Sequence, residues 1–305
     1  MTRYLIQRVL WIIPVLFFVS LITFTIMHQT PGGPFDQERK IPESVRTNIE
    51  RKYGLDKPFW QQYADYMSGV VRGDLGPSFR DPTKSVTDII LTGLPVTAHL
   101  AAMALVLGIV IGISLGTLAA LRRNTWADFG ATSFSIIGYS IPNFVLAIVL
   151  IMVFTVWLKW LPSGNWGTPD RWIMPTIALS FAPAALIARY TRSSLLEVIR
   201  QDYVRTARTK GLTERVVVVR HMLRNALLPV ATILGPLAAS LVTGSFVVET
   251  MFYIPGIGRL FVMGVAERDY SMIMGTTLLY AGVVVVMNLV VDMGYIFLDP
   301  RIRLS

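Results

Sequence analysis

Along this chain, apolar residues come in runs of membrane-spanning length, and charge collects in the gaps between them. The first run, residues 9–27, reads "VLWIIPVLFFVSLITFTIM" behind Arg3 and Arg8. A helix crossing the hydrocarbon of a bilayer needs about 20 mainly apolar residues, so the run predicts a span. A signal peptide shares the basic start, but this run is long for one, and "HQTPGGP" follows it without a small-residue cleavage pattern. The reading is a retained helix. Further spans are predicted over about residues 98–121, 131–158, 172–190, 229–248 and 275–298, the third with "YSIPN" near its start. In the second, Gly108, Gly112 and Gly116 recur every four residues and share one face. Such a face lets a neighbouring helix approach closely in lipid, where packing replaces the hydrophobic drive.

Composition agrees with a polytopic membrane protein. Of 305 residues, 53% are hydrophobic and 15% charged, against about 25% charged in soluble domains. The formal charge of +9 would point to nucleic acid in a soluble chain, but cytoplasmic loops alone can supply it here. With the N-terminus inside, residues 1–8, 122–130, 189–228 and 299–305 hold 2, 2, 9 and 2 of the 28 basic residues. The two short outer connections hold only Lys159, Arg171, Arg259 and Arg268. Both termini are therefore expected in the cytoplasm. The long outer segment contains "KPFWQQYADYMSGVV", with Phe59, Tyr63, Tyr66 and Val70 at helical spacing. It predicts a small amphipathic cap, and leaves contact with an outside partner open.

The chemistry of the chain is mostly that of packing. It has no cysteine, and His28, His99 and His221 lie far apart without metal-ligand spacing, so no metal site is expected. No G-x-x-x-x-G-K-[ST] run occurs, so the chain does not itself cradle nucleotide phosphates. No nucleophile with a base partner stands out. Ser20, Ser114 and Ser140 read as hydrogen-bonding groups between spans.

Residues 189–228 are the exception. Nine basic residues stand there against Glu197, Asp202 and Glu214. "SSLLEVIRQDYVRTARTK" has neither Gly nor Pro and predicts one helix, ended by Gly211 in a left-handed C-terminal cap. Thr213 is placed to cap a second helix carrying "ERVVVVRHMLRNALL". DNA recognition by such a helix-turn-helix needs a free helix for the major groove, and both arms here run into spans. Anionic lipid is a plausible contributor, but it does not call for an elbow centred on glycine.

Together "DYVRTARTKG" and "RHMLRNALLP" resemble the cytoplasmic loop of membrane subunits of ABC importers, in the dipeptide/oligopeptide permease family. "YGLDKPFWQQYADYMSGVVRGDLGPSF", "LPSGNWG", "ARYTRSSLLEVIRQDYVRTARTKGL", "VVETMFYIPGIGRL" and "ERDYSM" match that family in order over nearly the whole chain. Against the wider group's E-A-A-x-x-x-G signature, Arg205, Thr206 and Ala207 fall at E-A-A and Gly211 at the glycine. Arg205 replaces the signature glutamate, so a salt bridge from that glutamate does not carry over. "LRN" precedes Pro229, the longer form found in the peptide branch.

The resemblance implies an all-α membrane protein with the six-helix type I ABC importer permease fold. Residues 1–28 would be the first span, 29–97 an extracytoplasmic insert, and 98–305 the permease core with the coupling loop 189–228. It implies a non-catalytic subunit in a bacterial or archaeal cytoplasmic membrane. Its partners would be a second homologous permease, two cytoplasmic ABC ATPases that hold the ATP and Mg, a substrate-binding protein or lipoprotein, membrane lipid and a peptide solute, with no nucleic acid. Relatives also handle glutathione or nickel complexes. The ATPase contact would be Tyr203, Arg205, Thr206, Ala207, Arg208, Lys210, Gly211, Leu212, Thr213 and Glu214.

From the residues themselves, Asn143, Asn288 and Asp292 are candidates for the translocation pathway, each with interhelical bonding or an interfacial ion pair as its alternative. Glu249, Pro255, Gly256 and Gly258, expected just outside the fifth span, are candidates for a fold-back gate. The rival function is a stand-alone secondary transporter or channel with Asp292 as its ion or proton site. Inverted repeats would support it, and none is evident.

Overall fold

The computed structural model describes residues 2–33, 51 and 53–298. Among them the regular structure is helical, with one isolated antiparallel bridge between Pro77 and Ser85. Five helical runs are long and apolar enough to cross a membrane: Leu10–Gln29, Val86–Leu121, Asp170–Val198, Leu228–Met251 and Tyr270–Val290. One pair of helices, Trp126–Ser140 and Asn143–Trp157, passes the same test together but bends by 104°, and counted as one span it makes a sixth.

That bend corrects the expectation of one straight helix over residues 131–158. Pro142 has no N–H to donate and disfavours helical geometry at the residue before it. Ile141 is accordingly extended, with φ −82° and ψ 120°. The segment after the bend then ends in a seven-residue π-helical stretch, Ile151–Trp157.

The chain's contacts divide it into two compact units. The first is drawn from Met1–Thr97 and Pro255–Val285. It holds α1 (Thr2–Gln29), α2 (Phe59–Val71), the first part of α3 (Val86–Leu121), α11 (Ile257–Glu267) and the first part of α12 (Tyr270–Leu298). The amphipathic helix expected around Tyr63 is α2. It lays Tyr63 into a cluster with Phe24, Met27 and Met274, and the Tyr63 hydroxyl sits 2.8 Å from that of Ser20. The opposite side of α1 exposes Trp11, Phe18, Ile22 and Ile26, a face suited to lipid.

A buried carboxylate staples this unit together. Asp269, 2% exposed, accepts bonds from the Ser78 hydroxyl, the Phe79 N–H (3.0 Å) and the Met272 N–H (3.1 Å). It thereby ties the loop after α2 to the start of α12. Hydrogen bonds to charged groups are worth about 1.5–3 kcal/mol each. Asp269→Ala is expected to loosen residues 72–85, read as faster limited proteolysis there, while cleavage in the second unit is unchanged.

The second unit, Ala98–Ile254 with Val286–Leu304, is built around α6 (Asp170–Val198). It also contains α4 (Trp126–Ser140), α5 (Asn143–Leu150), α9 (Leu228–Gly244) and α10 (Phe246–Met251). The glycine face of α3 meets α6 as closely as backbones allow. A Cβ on Gly112 would stand 2.8 Å from the Ala184 carbonyl oxygen, and one on Gly116 2.5 Å from that of Ala188.

Candidate functional site

The basic segment folds into two short arms around a tight turn. The expected single helix into Gly211 is interrupted: α6 ends at Val198, and α7 (Asp202–Thr209) begins after Gln201, whose ψ of 144° is extended. No Gly or Pro marks this break. Asp202 instead places a carboxylate at the positive N-terminal end of α7. Val204 and Ala207, one turn apart on α7, are buried; Tyr203, Arg205, Thr206, Arg208 and Lys210 face out.

Gly211 takes φ +76°, a left-handed conformation that disfavours any side chain. Its N–H bonds the Arg208 carbonyl at 2.9 Å and closes the helix end. Leu212 and Thr213 are exposed beyond it. Thr213 sits at the expected N-cap of the return arm, but its side chain makes no capping bond. The arm runs through α8 (Glu214–Val216) into the π-helical Val217–Leu223.

Burial, more than charge, holds the elbow. Val204 and Ala207 pack with Val217, Val218, Met222 and Ala226 of the return arm, and with Leu195 of α6 and Ala120 of α3. Across the turn Arg208 Nη2 bonds Glu214 Oε1 at 2.6 Å. The bond to Arg208 depresses the Glu214 carboxyl. With a folded-state pKa below the unfolded one, the pair contributes above the unfolded carboxylate range and is lost as pH falls through the folded value. Its side chains are 42% and 57% exposed, so screening leaves it little weight. The Tyr203 hydroxyl also accepts a 2.9 Å bond from Asn225 Nδ2. The result is a ridge of polar and basic side chains presented on a buried apolar base.

The other candidates are divided between the two units. Asn143 is the first helical residue after the bend and lines a cavity of about 260 Å³ with Tyr139, Pro183, Ser240 and Gly244. Glu249 lies within the helical run Leu228–Met251, not just outside the predicted fifth span: α10 carries the run on to Met251 and buries the side chain completely. Ser245 Oγ donates to its Oε1 at 2.6 Å. In the first unit, Gly256 is the N-cap of α11 and Gly258 is buried on its first turn; Pro255, just before, is exposed. The Ile257 N–H between the two glycines bonds Thr97 Oγ1 at 2.9 Å. Asn288 is exposed on α12, and the Asp292 side chain lies outside the described residues. Sequence reasoning missed the Asp269 staple and a half-buried pair between Asp128 and Arg192, whose partners lie far apart along the chain. Among the described residues no three His, Cys, Asp or Glu side chains cluster as metal ligands.

Known proteins match this chain over its length. The family model described as "Binding-protein-dependent transport system inner membrane component" covers residues 108–304. A companion N-terminal model for membrane components of such transport systems covers residues 1–101. The dipeptide transport system permease protein DppB of Bacillus subtilis is 46% identical over 304 residues, covering 100% of this chain and 99% of the relative. The oligopeptide transport system permease protein OppB of Salmonella typhimurium is 43% identical over 305 residues, covering 99% and 100%. Among solved structures, the inward-facing MetNI methionine ABC transporter aligns with a TM-score of 0.58 at 20% identity, over 69% of this chain and 96% of that one. An amino acid ABC transporter aligns with a TM-score of 0.54 at 15% identity, over 68% and 94%. At these identities the structural likeness concerns the fold.

Proposed function

This chain belongs to the family of binding-protein-dependent transport system inner membrane components, and on that premise we propose that it is the pore-forming permease of an ATP-driven importer of dipeptides or oligopeptides. Permeases named for those solutes are its full-length relatives. It is a multi-pass membrane protein; a second related permease, two ATPases carrying ATP and Mg, and a solute-binding protein complete the machine. The chain itself transmits motion and hydrolyses nothing.

The elbow carries this reading. Among the described residues it is a strongly basic helix–turn–helix on a buried apolar base, with a positive-φ glycine at its turn. A convex ridge on an apolar base suits a cleft in a partner. Tyr203, Arg205, Thr206, Arg208 and Lys210, with Gly211, Leu212, Thr213 and Glu214 at the turn, would seat in the ATPase, while Ala207 anchors the ridge from below. Residues 189–228 and both termini then lie in the cytoplasm, and residues 29–97 outside. Asn143 beside its cavity, Asn288 and Asp292 would line the pathway. Glu249, Pro255, Gly256 and Gly258 would shape its outer end.

Topology is checked with single cysteines at Ser68 and Thr213, both exposed in a chain without native thiols. An impermeant thiol reagent added outside whole cells is expected to label Ser68→Cys alone. Labelling of both from the same side would defeat the six-span arrangement. Purification of the tagged chain tests the assembly directly: two ATP-binding chains and a second permease are expected with it, and recovery of this chain alone would count against the proposal.

A further inference from the structure

We infer that the ion pair of Asp128 with Arg192 is the strut through which displacement of the elbow reaches the bent third span. The inference rests on the permease reading and assigns to two residues the link between the elbow and a span that bends. Both residues act through other groups, so they are positioning residues.

The geometry is local and complete. Arg192 stands on α6 three residues before Leu195, which belongs to the buried cluster under the elbow. Its guanidinium grips the carboxylate of Asp128 with two bonds, Nε to Oδ1 at 2.6 Å and Nη2 to Oδ2 at 2.9 Å. The Asn124 N–H adds a third, to Oδ2 at 3.0 Å. Asp128 lies in the first turn of α4 and is 5% exposed. At the other end of α4, next to the bend, Gly138 meets α6 so tightly that a Cβ there would stand 2.6 Å from the Ala185 Cβ. α4 is thus held to α6 by a charged grip near the elbow and a close steric contact near the bend. Much of its remaining surface is open: Trp126, Phe129, Ile136 and Ile137 are all at least 50% exposed. A shift of α6 beneath the elbow must therefore carry α4, and with it the bend at Ile141–Pro142.

Magnitudes favour this pair over the other one nearby. The Arg192 and Asp128 side chains are 31% and 6% exposed, whereas both partners of the Arg208–Glu214 pair stand largely in water at 42% and 57%, where screening weakens the bond. A merely structural tie has no need of charge, because apolar side chains of similar volume often hold helices at least as well. A bidentate grip adds a fixed relative orientation of two helices, so that a displacement of one is passed to the other.

The test uses the complete complex in proteoliposomes and compares Asp128→Asn, the exchanged pair Asp128→Arg with Arg192→Asp, and the apolar pair Asp128→Leu with Arg192→Met. ATPase co-purification, ATP hydrolysis and dipeptide uptake are measured at matched protein amounts. Asp128→Asn and the apolar pair are expected to keep the ATPases and to hydrolyse ATP within about twofold of the unaltered complex, while solute imported per ATP falls about fivefold or more. The exchanged pair is expected to restore much of that ratio. The apolar pair retains packing, so it keeps the test decisive if Asp128→Asn accumulates poorly. An unchanged import-to-hydrolysis ratio in the apolar pair would overturn the inference while leaving the permease reading intact. Absence of ATPases from the unaltered complex would overturn that reading, and the inference with it.

Discussion

Gly211→Val is expected to leave the subunit inserted and folded while ATPase recovery falls about tenfold or more, with uptake lost in proportion. The backbone at Gly211 has φ +76°, and a Cβ built there meets nothing within 4 Å. The damage is therefore conformational and not steric. A side chain in the left-handed region costs about 1 kcal/mol or more, and a β-branched one is the least tolerant. Against a global stability of about 5–15 kcal/mol, that is survivable. At the tip of a docking elbow it is not, because each 1.4 kcal/mol is about a factor of ten in affinity. Gly211→Asn provides the control, since asparagine adopts this conformation more readily, and it should retain most of the assembly. Arg205→Ala should do less than Gly211→Val, because the signature glutamate's charge is already absent there. Normal assembly and transport by Gly211→Val would remove the elbow from the mechanism.

The second large effect falls on the glycine face of α3. A Cβ on Gly116 would stand 2.5 Å from the Ala188 carbonyl oxygen and 2.7 Å from the Thr191 Cβ. Backbone cannot yield as a flexible side chain does, so Gly116→Leu must push α3 off α6. Overpacking costs about 1–3 kcal/mol and occasionally more, and here it also pries Ala120 from Leu195 under the elbow. Loss of most folded, monodisperse protein in detergent is expected. Alanine substitutions should follow the spacing in order of severity. Gly108→Ala meets its nearest atom at 3.2 Å and is mild; Gly112→Ala at 2.6 Å and Gly116→Ala at 2.5 Å are severe. Gly130→Ala, with nothing within 4 Å, is the neutral reference. Thermal unfolding midpoints check the order, and a Gly116→Ala as stable as Gly130→Ala would contradict the close packing.

What the residues disclosed in advance followed from local physics. Span positions were legible because lipid demands about 20 apolar residues in a row. The turn at Gly211 was legible because glycine after a helix-forming run is a common left-handed stop. The bend at Ile141–Pro142 had its signal in the proline, yet the apolar run continued unbroken and concealed it. The break at Gln201 had no Gly or Pro to announce it. Glu249 falls one residue beyond the predicted end of the fifth span, whereas the helical run reaches Met251 and buries it beside Ser245. Asp128–Arg192 and Asp269–Ser78 join residues 64 and 191 apart. Such pairings come from tertiary packing, which no spacing along the chain encodes.

The most direct test is solute uptake by proteoliposomes containing this chain with its second permease, ATPases and binding protein. Labelled dipeptide should accumulate only when ATP and the binding protein are both supplied, and ionophores that collapse proton and sodium gradients should leave that accumulation unchanged. Accumulation by this chain alone, driven by an ion gradient and indifferent to ATP, would contradict the account.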